Sequence, residues 1–218
     1  MPASPIPEQF KIDFHPVAEP QAVVTAGGAR FSLLTERLVR MEFSPSEQFE
    51  DRPSQVFWYR RQPAPAFEGW RDGSRLELRT AALRLVYLDG PAGFSRQTLS
   101  VEVAATGSTW RFGQWDTGNL GGTARTLDGA DGAIHLEPGL VSRQGWAVVD
   151  DSHSLVFTAD GWLEQRAHHE NLDLYFFGYG HDYAGALREF TLVSGPAPLL
   201  PRWALGNWWS RYWPYRQA

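Results

Sequence analysis

The sequence predicts an all-β fold, an antiparallel β-sandwich with one short helix near the carboxyl terminus. Short segments alternate apolar and polar residues, and Gly, Asp and Pro separate them at the spacing typical of sandwiches. One late segment has the 3.6-residue spacing of a helix instead. At 218 residues, the chain is long enough to bury a hydrophobic core of its own.

Strands are predicted where apolar residues recur at every second position. In residues 30–43, Val39, Met41 and Phe43 alternate with their neighbours, which indicates a strand with one buried face. Asp89-Gly90-Pro91 is a strong turn signal after another such segment. The further predicted strands are residues 76–78, 83–88, 99–103, 109–112, 133–136, 146–149, 154–158 and 172–177.

The helix is predicted from four apolar residues spaced to share one face. They are Tyr183, Ala186, Leu187 and Phe190, at positions i, i+3, i+4 and i+7. Asp182 is the predicted N-cap, and Gly195-Pro196 is the predicted end. After this point the composition changes to Pro and Trp, so we predict a sandwich domain at residues 1–195 and a separate segment at residues 196–218.

Composition restricts the classes of function. A net charge of -5 argues against nucleic acid as a partner, since nucleic-acid binding depends on clustered Lys and Arg. The absence of Cys excludes disulfides and thiolate sites and agrees with a cytoplasmic location. No signal peptide or stretch of 18 apolar residues occurs, so no membrane association is expected. Ten Trp residues provide either an aromatic-rich core or platforms for sugar rings.

No catalytic residue, metal site or cofactor site can be assigned from the residues alone. The Gly-rich residues 118–123 lack the Gly-Lys-Ser/Thr ending of a phosphate loop and fit a turn with positive φ angles better. His168-His169-Glu170 would point to opposite sides of an extended chain, so a solvated loop is favoured over a metal site. Asp151-Ser152-His153 are consecutive and cannot form a catalytic triad.

A glycosidase needs two carboxyl groups facing each other across the sugar. Asp150 and Asp151 are adjacent and would lie on opposite sides of a strand. Asp128 and Asp131 are candidate loop carboxylates, but each precedes a Gly, and capping a turn is an equally good explanation. The residues by themselves therefore indicate an acidic, aromatic-rich β-sandwich of open function.

Several motifs resemble glycoside hydrolase family 31. The sequence GPAPLLPRWALGNWWSRYWPY at 195–215 is similar to the junction in that family between a sandwich and the first strand of a (β/α)8 barrel. NLGGTARTLDG at 119–129, GLVSRQGW at 139–146 and DDS at 150–152 resemble one bacterial branch. VRMEFSP at 39–45 and FEDRP at 49–53 fit its early strands.

The resemblance implies a galactose-mutarotase-like sandwich followed by the truncated start of a catalytic barrel. It implies a parent enzyme that hydrolyses α-linked glucosides or xylosides with retention, and whose catalytic Asp residues lie on barrel strands outside this sequence, so this chain alone is expected to be inactive. The implied substrate-binding residues are Tyr212, at the end of the first barrel strand, and a sandwich loop within residues 118–151 that carries Asp128, Asp131 and Asp151.

Two other classes of function remain open. A freestanding carbohydrate-binding module would use Trp residues as stacking platforms. A mutarotase-like sugar epimerase shares the sandwich fold, but it would need paired His residues and a Glu in one cleft, and His168, His169 and Glu170 are consecutive. A scaffold without a ligand is the third alternative.

Overall fold

The fold is known from a computed structural model, which describes residues 11–124, 126, 128–197 and 199–207. The strands in chain order are β1 (Val23–Ala26), β2 (Ala29–Leu33), β3 (Leu38–Phe43), β4 (Glu68–Asp72), β5 (Arg75–Arg79), β6 (Leu83–Leu88), β7 (Leu99–Val103), β8 (Ser108–Arg111), β9 (Ala147–Asp150), β10 (Val156–Phe157), β11 (Leu163–Glu164) and β12 (Leu172–Phe177). One α-helix, α1 (Tyr183–Ser194), follows β12. Short 3₁₀ turns occupy Pro20–Ala22 and Arg202–Leu205.

Two five-stranded antiparallel sheets form the body of the fold. Sheet A has the strand order β1-β2-β3-β12-β9, and sheet B has the order β4-β5-β6-β7-β8. Strands β10 and β11 form a separate hairpin. The prediction of an antiparallel all-β sandwich with one helix near the carboxyl terminus is confirmed.

The core lies between the inner faces of the two sheets. Phe31, Met41 and Phe176 of sheet A pack in one cluster with Leu85 and Val101 of sheet B. This packing follows from the two-residue periodicity, which sends alternate side chains of each strand to the same face. Many of the aromatic residues lie in this core, since Trp110 and Trp146 are also buried in this cluster.

The outer face of sheet A is also buried, contrary to the expectation of a half-buried strand at residues 38–43. Strand β3 pairs with β12 so that Arg40 lies opposite Tyr175 and Glu42 lies opposite Asp173. The Arg40 and Glu42 side chains are each only 2–3% exposed. A second layer, which includes Phe57 and α1, packs over this face and excludes water from it. Periodicity alone could not reveal this layer.

Helix α1 begins and ends where the sequence predicts. The Asp182 side chain accepts a hydrogen bond of 3.0 Å from Gly185 N, and Gly195 follows the last helical residue with a φ of 92°. The predicted buried face is partly wrong. Ala186 is buried, but Leu187 is 54% exposed, and Val193 is buried in its place. The helix contacts the sheet along a narrower stripe than its four apolar residues suggested.

Several predicted strand boundaries are wrong for local reasons. Residues 30–43 form two strands, because a turn at residues 34–37 reverses the chain between β2 and β3. Residues 133–136 are not a strand and lie in an exposed loop. Strands β1 and β4 were not predicted; β4 is exposed at every position, so it has no buried periodic face. Strands β6, β7 and β12 match their predicted bounds.

The segment after α1 exposes large apolar side chains. Leu199 is 99% exposed, Trp203 is 72% exposed and Leu205 is 75% exposed. The predicted start of a barrel falls largely on residues 208–218, which lie outside the described residues. Within the ranges described above, the one α-helix is too short and too polar to be a candidate membrane span.

Candidate functional site

The candidate site lies in the long connection between β8 and β9. Two arms of this connection run side by side and exchange backbone hydrogen bonds. Leu120 N donates to Val141 O at 3.1 Å, and Arg143 N donates to Gly118 O at 2.9 Å. This connection contains most of the loop that the resemblance assigns to substrate contact, and its base is fixed to the sandwich.

Asp116 holds the first arm in place. Its Oδ1 accepts hydrogen bonds from Gly118 N at 3.0 Å and from Ser142 Oγ at 2.7 Å, and its Oδ2 accepts one from Asn119 Nδ2 at 2.9 Å. The carboxylate thus joins both arms. The Asp116 carboxylate therefore stabilises the loop, and one of its lone pairs is left to accept a hydrogen bond from a ligand.

Asn119 connects the arms at a second point. Its Oδ1 accepts hydrogen bonds from Gly121 N at 2.9 Å and Gly139 N at 2.7 Å, while its Nδ2 also donates to Gly139 O at 2.9 Å. Gly121 has a φ of 76°, as the Gly-rich sequence predicts for this loop. A Cβ on Gly139 would lie 2.5 Å from Gly121 O, so the arms can approach this closely only because residue 139 is Gly.

A pocket of about 490 Å³ opens between these arms and the sandwich; we call it the Trp115 pocket. Its wall includes Trp115, His135 and Leu136, and its floor includes Trp146 and Val148. Trp146 is 3% exposed and lies parallel to the ring of Phe176, so the floor is part of the rigid core. Trp115, by contrast, is 74% exposed and presents its ring to solvent.

The Trp115 pocket combines an exposed aromatic ring with polar side chains. An indole face packs against the apolar face of a ring-shaped ligand, and His135 and Gln114 offer hydrogen-bonding groups at the rim. The lining contains one carboxylate, that of Asp116. Since glycoside hydrolysis needs two opposed carboxyl groups, the pocket has the composition of a binding site and lacks that of a hydrolytic centre.

The predicted site residues Asp128 and Asp131 lie at the exposed tip of the same connection. Both are exposed, and neither lines the Trp115 pocket. The Asp128 backbone N–H donates a hydrogen bond of 3.0 Å to Thr126 Oγ1. Within the part of the chain that the structure describes, the Asp128 carboxylate has no hydrogen-bond partner. Its role in substrate contact stays a prediction.

Asp151 lies in a different environment, on the buried outer face of sheet A. Its Oδ2 accepts a hydrogen bond of 2.8 Å from Arg166 Nη2, and the residue is fully buried. Arg166 Nη1 in turn contacts Asp173 Oδ2 at 2.9 Å. Burial raises the pKa of Asp151, and the nearby Asp173 charge raises it further against the effect of Arg166. The structure thus separates Asp151 from Asp128 and Asp131; its predicted substrate contact remains untested.

The ion pairs around Asp173 extend across sheet A from β2, through β3 and β12, to Asp151 at the end of β9. Arg40 donates to both Asp173 oxygens at 2.8 Å, and its Nη2 lies 3.0 Å from Glu42 Oε1. Arg30 donates to Glu42 at 2.7 and 2.8 Å. We call this group, with Asp151 and Arg166, the buried ion-pair network. Burial disfavours ionisation of Asp173, but the attraction of Arg40 outweighs it and lowers the pKa below its ordinary range.

The remaining candidates are placed as follows. Tyr212 lies outside the described residues. His168 Nδ1 lies 3.4 Å from Glu170 Oε1, and His169 is exposed. Among the described residues, no group of three or more His, Asp or Glu side chains has the geometry to hold a metal ion.

Sequence reasoning missed Trp115, Asp116 and Asn119. One signal for Trp115 was available: it follows Gly113 just beyond the alternating residues of β8, where a large aromatic has no place in the core pattern. The pairing of Asn119 with Gly139, 20 residues away, has no counterpart in local sequence. The pocket therefore became visible only in the folded chain.

Comparison with solved structures finds GH31 enzymes that contain a similar fold. A Flavobacterium johnsoniae GH31 dextranase complexed with glucose superposes with a TM-score of 0.51 at 14% identity, over 89% of this chain and 30% of that enzyme. A GH31 α-xylosidase from a soil metagenome complexed with xylose gives a TM-score of 0.52 at 12% identity, over 84% of this chain and 35% of that enzyme.

The chain shares its fold with part of these GH31 enzymes. It spans about a third of their length. No protein-family model matches the chain, and no curated protein matches it. At these identities the likeness shows the fold alone, which agrees with the sandwich that the family resemblance implied.

Proposed function

We propose that this chain is the amino-terminal module of a retaining α-glycosidase acting on α-linked glucosides or xylosides, and that the Trp115 pocket binds a sugar of the substrate. The observation that carries the proposal is the exposed ring of Trp115, which lines a pocket whose floor includes the buried Trp146. An exposed indole beside hydrogen-bonding side chains is suited to a sugar ring, whose faces are apolar and whose edge is polar.

The number of carboxylates in the pocket indicates that this chain binds the sugar and does not cleave it. The Trp115 pocket contains one, and its hydrogen bonds are directed into the loop. Cleavage would therefore depend on the two Asp residues that the family resemblance assigns to barrel strands. The 218-residue chain alone should release no chromogenic leaving group from an α-glycoside, and turnover clearly above a blank would contradict this.

The binding role is tested on the chain itself. Isomaltotriose and xylose are titrated into the wild-type chain, and Trp fluorescence or NMR line shifts report binding. Trp115→Ala should weaken binding about 3–10-fold, the equivalent of about 0.6–1.4 kcal/mol for one aromatic contact. Trp162→Ala is the matched control, because Trp162 is 49% exposed and lies between β10 and β11, outside the Trp115 pocket.

Equal losses of sugar affinity in Trp115→Ala and Trp162→Ala would contradict the assignment of the Trp115 pocket as the binding site. A freestanding carbohydrate-binding module is the second candidate, and the lining of the Trp115 pocket favours it, because residues of this chain form the pocket without a barrel. The two candidates differ in the parent protein. If Trp115→Ala changes the ratio of kcat/KM values among disaccharides, the pocket serves the hydrolytic reaction. If it changes only retention on a polysaccharide, the pocket belongs to an independent binding module.

A further inference from the structure

A second recess lies on the outer face of sheet B, away from the Trp115 pocket. It has a volume of about 290 Å³, and its lining includes Arg75, Arg84, Arg111, Ser100, Glu102 and Thr109. We call it the arginine recess. The strand register brings these residues together, since Ser100 is paired with Arg111 and Glu102 is paired with both Arg84 and Thr109. Directly paired residues share one face of a sheet.

The strands beneath the recess carry an excess of positive charge. Strands β5 to β8 contain four Arg residues and two Glu residues. The residues that alternate with these charges face the core, so all six charges lie on the outer face. The chain as a whole has a net charge of -5, so this surface has the opposite sign to the rest of the protein. An anion is therefore attracted to this face in particular.

Most of these guanidinium groups share a single carboxylate. Arg75, Arg79 and Arg84 all donate to Glu77, whose side chain is only 3% exposed. Arg84 reaches Glu102 at 3.5 Å. Across the described ranges, Arg111 has no carboxylate within ion-pair distance, and its side chain is exposed. Arg111 is thus the guanidinium that is available to a ligand.

The remaining lining restricts the chemistry of that ligand. The lining contains no aromatic ring, so recognition depends on charge and hydrogen bonds. Ser100 and Thr109 provide hydroxyl groups, which donate or accept. The Glu102 side chain is 43% exposed and can only accept. A ligand must therefore supply a negative charge for Arg111 and, away from that charge, hydroxyl donors for Glu102.

We propose that the arginine recess binds a hydroxylated carboxylate, namely a sugar acid residue such as a uronate. Its carboxylate pairs with Arg111, and its hydroxyl groups donate to Glu102 and exchange hydrogen bonds with Ser100 and Thr109. This site is independent of the Trp115 pocket, which lies in the β8–β9 connection. Either proposal can fail while the other holds.

The experiment compares three probes on the full 218-residue chain: glucuronate, glucose and inorganic phosphate. Calorimetry gives each affinity, and NMR amide shifts locate the binding. We expect glucuronate to bind at least tenfold more tightly than glucose and phosphate and to shift the amides of Ser100 and Arg111. Binding should weaken as salt is raised, because an exposed ion pair is screened.

Arg111→Gln should reduce glucuronate affinity about tenfold, the loss expected for one charge-assisted hydrogen bond. The matched control is Arg188→Gln, since Arg188 is exposed on α1, which packs on the outer face of sheet A at the opposite side of the sandwich. Equal binding of glucose and glucuronate, preferential binding of phosphate, or equal losses in the two variants would each overturn the proposal.

Discussion

The buried ion-pair network gives the sharpest test of what holds sheet A to its covering layer. Asp173 is its centre, because it accepts two hydrogen bonds from Arg40 and one from Arg166, each at 2.8–2.9 Å. The change Asp173→Asn keeps the shape of the side chain and removes its charge. Arg40 and Arg166 would then remain buried with less compensation, since their side chains are only 2% and 5% exposed.

The size of the effect follows from the contacts that survive. Removing one partner of a buried ion pair costs about 3–5 kcal/mol. Glu42 still lies 3.0 Å from Arg40, and Asp151 still pairs with Arg166 at 2.8 Å. We therefore expect the lower end of that range, about 3 kcal/mol of unfolding free energy. For a domain of this size the melting temperature should fall by about 6–12 °C.

Urea unfolding followed by Trp fluorescence measures the loss, with the dependence on urea concentration expected to be the same in both proteins. Asp128→Asn is the matched control, because it makes the same chemical change at an exposed site. It should alter stability by less than about 0.5 kcal/mol. If Asp173→Asn lowered the free energy of unfolding by less than about 1 kcal/mol, the inference that breaking this network is strongly destabilising would be refuted.

The pH dependence separates charge from shape. The pKa of Asp173 is lower in the folded chain than its ordinary value of 3.8, so its ionised form stabilises the fold above that value. The contribution is lost progressively as pH falls from 3.8 toward the folded pKa. The stability difference between wild type and Asp173→Asn should therefore shrink by about 1.4 kcal/mol for each pH unit below 3.8. A difference that is independent of pH would indicate a steric effect.

Four further predictions concern separate sites. In the proposed parent glycosidase, Tyr212→Ala should reduce turnover of every substrate, while Asp128→Ala should alter the ratio of kcat/KM values among disaccharides. Lower thermal stability with unchanged ratios would show that Asp128 only stabilises its turn. Hydrogen bonds from Arg84 and two other Arg residues lower the pKa of Glu77 to about 2 from 4.5. Its carboxylate therefore stabilises the fold above pH 4.5, and Glu77→Gln should be destabilising at pH 7 and progressively less so toward pH 2, as urea unfolding at both pH values would show. Asp182→Ala should cost about 1 kcal/mol of stability, since it removes the helix cap on Gly185 N, and an unchanged melting temperature would contradict this.

Local sequence was sufficient to predict a strand or helix wherever one short segment carries its own physical signal. The bounds of β12 follow from its run of strand-forming residues, and the start of α1 follows from Asp182, whose carboxylate caps an amide three residues away. Such signals depend on backbone geometry within a few residues. The same reasoning failed at residues 133–136, where apolar side chains lie in an exposed loop.

The composition and motifs of the sequence thus determined an acidic, aromatic-rich sandwich and its resemblance to one glycosidase family. The tertiary structure decided which polar residues meet. Asp151 and Asp173 are 22 positions apart and belong to one buried network through Arg166, whereas Asp128 extends from an exposed tip. Asn119 closes the Trp115 pocket through Gly139, and Arg111 joins the arginine recess through strand register. These contacts join distant parts of the chain, so they depend on how the sheets pair and on which faces become buried, and no local periodicity encodes that.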